Sequence, residues 1–269
     1  TASYYAIFRL KDDIPPEIKN VSVSSNLFSP NGDGILDTAT INWTLSDNIT
    51  FNLVDAEIVV NDSSGNIIRE LIKQERLQGT YADVWDGKDN SGVVVPDGKY
   101  VINIDAKDLF GNKAIQQSVK VIVDTVSSMS SISIGQPQYD YKDETPIVVS
   151  SMTLFTLTAV DPDPDASGVD YSEYNINNSG WARYSSPFSI PNTFSDGNIT
   201  INYRSVDKAG NVEVAKSITI TLDNTRPVAE FLSPSPDLIG IEQNVNGIVT
   251  IIGTSTDLHF DYYNLEYAE

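Results

Sequence analysis

Hydrophobic positions alternate with polar ones along almost every patterned stretch of this chain. Ile41, Trp43 and Leu45 fall on one side of one such stretch, with Asn42 and Thr44 on the other. Alternation at a period of two is typical of β-strands that bury one face. Clusters of Gly, Asn, Asp, Ser and Pro separate the stretches, and these residue types favour tight turns. The pattern therefore predicts short β-strands joined by turns.

One stretch, Ile67 to Leu77, also fits a helical spacing through Ile68, Leu71 and Ile72. It lies between two strands that are bounded by turn residues. This setting favours a strand and a loop over a helix.

A five-residue signature, Asp-x-x-Gly-Asn, occurs at residues 108–112 and again at residues 207–211. Each copy is followed by one alternating strand and then by an Asp, which is Asp124 after the first copy and Asp223 after the second. These landmarks share an offset of 99 residues, close to the roughly 100 residues of an immunoglobulin-type sandwich. The sequence predicts an all-β chain of tandem immunoglobulin-like β-sandwich modules in an extended array.

Linkers are predicted at Lys11 to Pro16, Asp124 to Ser131 and Asp223 to Pro227. Proline stiffens such joints, and their scarcity of large apolar side chains places them at the surface. The predicted organisation is the last strand and linker of a preceding module over 1–16, sandwiches over 17–124 and 125–225, and the first half of a further module over 226–269. We therefore expect the chain to be an excerpt of a longer array.

The charge balance is strongly acidic. The 269 residues include 37 Asp and Glu against 17 Lys and Arg, a formal net charge of −20. This charge repels phosphate backbones and anionic bilayers, so nucleic acid is not expected as a partner. Membrane insertion is not expected either, because the sequence has no run of about 18 apolar residues. It suits cation binding, and it equally suits a plainly solvated surface. Cys is absent, so disulfides and thiolate chemistry are excluded. The composition favours a secreted, extracellular or cell-surface protein of a prokaryote.

The segment from residue 29 to residue 37 has the oxygen spacing of a calcium loop. Ser29, Asn31, Asp33 and Asp37 occupy relative positions 1, 3, 5 and 9, and Gly34 permits a sharp turn at position 6. Hard oxygen ligands at this spacing wrap one Ca²⁺ ion, although position 12 lacks the bidentate Glu of the full pattern. The alternative is a tight turn in which Asn31 and Asp33 cap local amides.

A second acidic segment carries four carboxylates, Asp161, Asp163, Asp165 and Asp170. Like charges at this spacing need a counter-ion or solvent. The segment is therefore a second candidate Ca²⁺ site, although Ala166 stands where a calcium loop needs Gly. A solvated loop tip is the alternative.

The tryptophans suggest different roles. Trp43, on an alternating strand, is expected in the core, and Trp85, at a strand end before Asp-Gly, is expected to cover the sandwich edge. Trp181 follows a turn and lies near Tyr174 and Tyr184 in the sequence. That arrangement favours aromatic pairing across a hairpin, with a sugar-binding platform as the alternative.

No catalytic arrangement follows from the sequence. The single histidine, His259, has no nucleophile placed beside it by any motif and is expected at the surface or at a strand end. Acidic pairs such as Asp86 and Asp89 could suit a glycosidase, but Asp is common in turns for backbone reasons. The chain is predicted not to be an enzyme.

Three motifs appear in order in the first module, FSPNGDG from residue 28, WDGKD from residue 85 and VPDGKY from residue 95. This succession, over about residues 20 to 124, resembles the immunoglobulin-like domain family named after the flagellar hook-capping protein. The resemblance implies a β-sandwich of large secreted and surface proteins, used as a spacer rather than as a catalyst.

In the second module, SGV from residue 167 and YRSVDKAGNVE from residue 203 carry another likeness. This module resembles the small all-β repeat family named after a spirochaete outer-membrane surface protein. The resemblance implies a further module of an extracellular multidomain protein.

These observations together predict a structural spacer or stalk segment of a large prokaryotic surface protein, stabilised by Ca²⁺. Its expected partners are the neighbouring modules of the same chain. An adhesin-type module that binds a surface glycan or a protein is the alternative, and accessory domains of a secreted hydrolase are a more remote one.

Overall fold

The structure, a computed structural model, describes residues 11–49, 53–139, 146–162, 165–233, 247–259 and 262–266. Every regular element within these residues is a β-strand, which confirms the all-β prediction. None of the described residues belongs to a helix long and apolar enough to cross a membrane. The last strand predicted for the preceding module, ahead of the linker that begins at Lys11, lies outside the described residues.

The first sandwich has two sheets. One contains, in order across the sheet, β1 (Glu17–Val23), β3 (Ala39–Ser46) and β6 (Gly79–Trp85). The other contains, in order, β2 (Leu27–Phe28), β8 (Gln117–Val123), β7 (Gly98–Lys107), β4 (Val54–Asn61) and β5 (Ile67–Arg76). The stretch that also fitted a helix therefore forms one continuous strand, β5, up to Arg76. The prediction of a strand over a helix is correct, and the loop predicted within the stretch is absent.

The core of the first sandwich lies between these sheets. Trp43 is fully buried there, as the alternation predicts. Trp85 is also fully buried, with its ring centroid 5.3 Å from that of Phe28 and 5.4 Å from that of Tyr100. The expectation that Trp85 covers the sandwich edge is therefore wrong, because the last residue of β6 still faces the opposite sheet.

The second sandwich has a two-stranded sheet and a six-stranded sheet. The small sheet pairs β9 (Met129–Ile134) with β12 (Phe155–Val160). The large sheet contains, in order, β10 (Gln138–Tyr139), β11 (Val148–Val149), β16 (Lys216–Leu222), β15 (Gly197–Asp207), β13 (Val169–Ile176) and β14 (Ala182–Arg183). Strands β7 and β15, and strands β8 and β16, begin 99 residues apart. The repeat read from the sequence is therefore a repeat of these strand pairs.

One region of the second sandwich is polar where its counterpart is apolar. Glu213 is buried and accepts hydrogen bonds from the amides of Ser130 at 3.1 Å and Ser205 at 3.0 Å. It also lies 2.6 Å from Lys216 Nζ. The equivalent positions of the first sandwich are Ile18, Ala106 and Ala114. The same part of the fold is therefore filled by a hydrogen-bonded polar cluster in the second sandwich and by apolar side chains in the first.

A third pair of strands follows the second sandwich. Strand β17 (Val228–Ser233) pairs antiparallel with β18 (Ile252–Thr256). The predicted boundaries at residues 124 and 225 fall between β8 and β9 and between β16 and β17.

The two linkers between these units differ in burial. Asp124 and Ser128 are fully buried in the first linker, whereas residues 224–227 of the second are exposed. The expectation that the whole of Asp124 to Ser131 lies at the surface is therefore wrong. Scarcity of apolar side chains did not expose this linker, because polar groups of both sandwiches pack around it.

We expect a broad-specificity protease to cut residues 224–227 before residues 124–131. Cleavage needs an exposed segment that can leave its hydrogen bonds, and the buried linker must first lose its contacts with the second sandwich. Mass spectrometry of the earliest fragments would show the order of cleavage. Initial cleavage within residues 124–131 would contradict the buried linker.

Candidate functional site

The two Asp-x-x-Gly-Asn signatures build the same loop in the two sandwiches. Asp108 accepts hydrogen bonds from the amide and the side chain of Asn112, both at 2.8 Å. Asp207 does the same with Asn211, at 2.9 and 2.8 Å. The Gly between them has φ of +93° in both copies, a conformation that glycine adopts without steric cost. The signature therefore specifies a closed loop that holds its Asn in a set position.

Each of these Asn side chains ties its loop to the linker that precedes its own sandwich. Asn112 Nδ2 donates to the backbone carbonyl of Asp12 at 3.0 Å. Asn211 Nδ2 donates to the backbone carbonyl of Asp124 at 2.9 Å. The sequence repeat is therefore also a repeat of one linker contact.

Asn211 additionally contacts the first sandwich. Its Oδ1 accepts hydrogen bonds from Ser29 Oγ at 2.6 Å and from Asn31 Nδ2 at 3.1 Å. Asn211 is 3% exposed and Ser29 is fully buried. One amide side chain thus bonds the second sandwich, the linker and the first sandwich together.

Two further contacts cross this junction. A Cβ added to Gly210 would lie 2.7 Å from Ile35 Cγ2, so the close approach of the two sandwiches itself requires glycine. Lys99 Nζ of the first sandwich lies 2.6 Å from Asp165 Oδ1 of the second, an exposed ion pair. Apolar, polar and charged contacts therefore all join the two sandwiches. We call the residues of these contacts, with Asn211, Ser29, Asn31 and Asp124, the junction.

The loop from residue 29 to residue 37 forms part of the junction. Asp37 accepts hydrogen bonds from the amides of Gly32 at 2.7 Å and Gly34 at 2.8 Å. Asp33 accepts from the amide of Ile35 at 2.7 Å. Asn31 Oδ1 also accepts from the amide of Asp33 at 2.9 Å. The bonds to Asn31 and Asp33 are the local capping that the sequence offered as an alternative to a calcium loop. Ca²⁺ binding by this loop stays a prediction.

The structure separates the members of the second acidic segment. Asp161 has a carboxylate oxygen within 4.8 Å of those of Asp124 and Asp207. Asp165 instead pairs with Lys99, and Asp170 lies exposed on strand β13. Asp163 lies outside the described residues. Asp161 is therefore grouped with two landmarks of the repeat, which sequence reasoning had not connected with it.

The paired loop carboxylates titrate differently. Burial acts to raise the pKa of Asp108, but the hydrogen bonds from Asn112 and neighbouring amides outweigh it and hold the pKa below its ordinary value. Burial raises the pKa of Asp207, and the nearby charge of Asp124 adds to this effect against the bonds from Asn211. The second loop therefore holds its carboxylate in a more negative environment, because Asp124 lies near it.

A similar acidic group follows the second sandwich. Asp223, Asp257 and His259 have ligand atoms within 4.8 Å of one another. The Nδ1 atom of His259 lies 2.6 Å from Asp223 Oδ2. The histidine is therefore a partner of the linker Asp that opens the next unit.

The aromatic residues near the hairpin make different contacts from those predicted. The guanidinium of Arg204 lies 4.2 Å from the ring centroid of Trp181, and Tyr174 stacks on Phe188 at 3.7 Å. Cross-strand contact is thus present, but Trp181 pairs with a cation rather than with a tyrosine.

Several solved structures are similar to this chain. They include fibronectin(III)-like modules of CbhA from Clostridium thermocellum, at 13% identity and a TM-score of 0.33 over 76% of this chain and 94% of that one. A 1.5-MDa bacterial ice-binding adhesin is 16% identical, with a TM-score of 0.42 over 82% of this chain and 71% of that one. A tetra-tandem repeat from the extending region of a large adhesion protein is 20% identical, with a TM-score of 0.30 over 83% of this chain and 53% of that one.

No curated protein sequence gives a significant match to the chain. The family comparison concerns the first sandwich, whose loop from residue 29 to residue 37 supplies Ser29 and Asn31 to the junction. Over residues 32–109, this sandwich matches the FlgD Ig-like domain.

Proposed function

We propose that this chain is a non-catalytic spacer segment of a large prokaryotic extracellular or cell-surface protein. In this proposal its sandwiches transmit position and load, and their junctions hold neighbouring sandwiches in a set orientation. The acidic surface, with a formal net charge of −20, supports a soluble array whose members repel one another except where they are specifically joined.

The single observation that carries this proposal is the position of Asn211. Its side chain is buried and makes hydrogen bonds to both sandwiches and to the linker between them. A flexible linker would leave such groups to water, whereas buried polar groups need their partners. A rotation of one sandwich against the other would therefore break several bonds at once. The junction has the construction expected of a stiff joint.

Distance measurements between spin labels test this stiffness. The chain has no Cys, so Ser63→Cys and Ser179→Cys place one label in an exposed turn of each sandwich. We expect a narrow distribution of label distances in the wild-type background. A distribution as broad as that of the junction variant Asn211→Ala would overturn the proposal of a stiff spacer.

Two glycines form a matched pair for the junction contact. Gly111 and Gly210 have the same φ of +93°, so alanine at either position incurs the same backbone strain. A Cβ at Gly111 would meet nothing within 4 Å, whereas at Gly210 it would meet Ile35.

We expect Gly210→Ala to lower the free energy of unfolding by about 1 kcal/mol more than Gly111→Ala, because Ile35 must move. Urea unfolding measures both losses. Label distances should broaden for Gly210→Ala alone. Equal losses and equal distance widths would show that the two sandwiches do not press on each other at this point.

A further inference from the structure

Aspartates recur at three equivalent places around the start of each unit. One belongs to the linker, one directly follows the second long strand, and one opens the Asp-x-x-Gly-Asn loop. In the first sandwich these are Asp12, Asp47 and Asp108, and in the second they are Asp124, Asp161 and Asp207. Three carboxylates are therefore brought to the same end of each sandwich by the same topology.

At the second sandwich the three carboxylates converge. Asp124, Asp161 and Asp207 each have an oxygen within 4.8 Å of the others. Asp124 is fully buried and Asp207 is 1% exposed. Carboxylates this close repel each other strongly when water is excluded.

The hydrogen-bond donors to the two most buried carboxylates are neutral. Asp124 accepts from the amides of Val126 at 3.2 Å and Ser167 at 2.7 Å, and Asp207 accepts from Asn211. Lys208 Nζ lies near the backbone of Gly168. Among the described residues, however, no ion pair joins a basic side chain to Asp124 or Asp207. Within the described part of the chain, the charges of Asp124 and Asp207 are therefore met by neutral donors rather than by a basic side chain.

Asp12 supplies an independent observation at the first sandwich. It is 8% exposed, and its Oδ1 accepts from the amide of Ile14 and from Asn48 Nδ2, both at 3.0 Å. Its Oδ2 is buried and has no hydrogen-bond donor within the described part of the chain. A buried carboxylate oxygen without a donor is costly.

The contacts of Asp12 orient this oxygen. Asn48, whose side chain donates a hydrogen bond to Asp12 Oδ1, directly follows Asp47 in the chain. Asn112 donates hydrogen bonds to the backbone carbonyl of Asp12 and to the carboxylate of Asp108. Asp12 is thus bonded, through Asn48 and Asn112, to both segments that carry the other two carboxylates of the first sandwich.

We propose that a divalent cation binds Asp124, Asp161 and Asp207 at the second sandwich, and that a second one binds Asp12, Asp47 and Asp108 at the first. Carboxylates without nitrogen or sulfur ligands suit a hard cation, and Ca²⁺ tolerates irregular geometry completed by water. This inference rests on the proposed spacer function and deepens it. The cation joins the linker to two loops of the following sandwich, and thereby stiffens the junction.

The sites differ from the calcium loop predicted at residues 29–37, and a matched pair of variants separates them. Asp161→Asn removes one charge from the second site, while its amide oxygen can still accept the bond from Gly168. Asp33→Asn removes one charge from the predicted loop. Asp12→Asn does the same at the first site. Circular dichroism confirms that each variant is folded.

Calorimetric titration of the full chain with CaCl₂, after removal of metals by a chelating resin, is the direct test. We expect two Ca²⁺ ions per chain, and one each for Asp161→Asn and Asp12→Asn, with Asp33→Asn unchanged. Melting of the wild type should rise by several degrees at a free ion concentration about 100 times the dissociation constant. MgCl₂ should stabilise less, because Mg²⁺ demands near-octahedral geometry.

Three outcomes overturn the proposal. These are no Ca²⁺ binding by the wild type, full binding by both Asp161→Asn and Asp12→Asn, or loss of binding only in Asp33→Asn. If one of the two site variants does not fold, the proposal is still tested by the number of Ca²⁺ ions bound by the wild type and by the other site variant. Label distances without and with Ca²⁺ keep the two proposals apart. If the distance distribution is narrow and no Ca²⁺ binds, the cation sites are rejected and the stiff spacer is retained. If the distribution is broad both without and with Ca²⁺, the stiff spacer is rejected.

Discussion

Replacing Asn211 with alanine is expected to lower the free energy of unfolding by about 3 kcal/mol or more, because several buried groups lose their partner together. Ser29 Oγ loses its acceptor, and the carbonyl of Asp124 loses its donor. Asp207 also loses the side-chain bond that closes its loop. Each buried polar group left unpaired costs about 1–3 kcal/mol.

The matched control is Asn112→Ala in the first sandwich. Asn112 makes the same loop and linker bonds, but among its described contacts none reaches another sandwich. We expect a loss of about 1–2 kcal/mol for this variant, since fewer buried groups are left unpaired. Chemical unfolding measures the difference between the two variants. Equal losses would mean that the contacts of Asn211 with Ser29 and Asn31 contribute nothing to stability.

Replacing Glu213 with alanine is expected to destabilise the second sandwich by about 3 kcal/mol. The amides of Ser130 and Ser205, and both of their hydroxyl groups, would lose a buried acceptor. Lys216 would lose its partner as well, but its side chain is 42% exposed, so water replaces much of that contact. Calorimetry of the full chain should show a lower transition for the second sandwich only. A lowered transition for the first sandwich would contradict the assignment of this cluster.

The stability of the second sandwich should also depend on pH through Glu213. Burial acts to raise the pKa of Glu213, but the hydrogen bonds from Lys216, Ser130 and Ser205 outweigh it and hold the pKa below its ordinary value of 4.5. A lowered pKa in the folded state contributes stability above pH 4.5, and this contribution is lost as the pH falls through the folded-state value.

The difference in stability between wild type and Glu213→Gln should therefore be constant near neutral pH and should shrink below pH 4.5. The other carboxylates are common to both proteins, so the difference isolates this group. Urea unfolding from pH 7 to pH 3 measures it. A difference that grows on acidification would have the wrong sign and would reject the assigned cause.

Strands and their repeat could be predicted from the sequence because both depend on local chemistry. Alternation at a period of two identified strand β3 and its buried Trp43, since successive side chains of a strand face opposite sides. Turn residues resolved the ambiguous stretch that forms β5. The signature at residues 108–112 and 207–211 marked the repeat, because its Asp, Gly and Asn all serve one short loop.

The contacts made by these landmarks could not be predicted in the same way. Ser29 and Asn211 are 182 residues apart, and no pattern in the sequence around either residue indicates that the other is its hydrogen-bond partner. Asp161 was grouped with its sequence neighbours, although the structure places Asp124 and Asp207 beside it. Trp85 looked like an edge residue because its strand ends there, but the opposite sheet extends over it.

The sequence by itself determined that this chain consists of β-strands, that they recur at an interval of 99 residues, and that acidic and amide side chains mark each repeat. Only the tertiary structure decided that the second sandwich closes on Glu213 where the first closes on apolar residues, and that Asn211 joins two sandwiches. Strand formation and turns depend on neighbours in the chain. Burial and the pairing of polar groups depend on residues that folding brings together from distant segments.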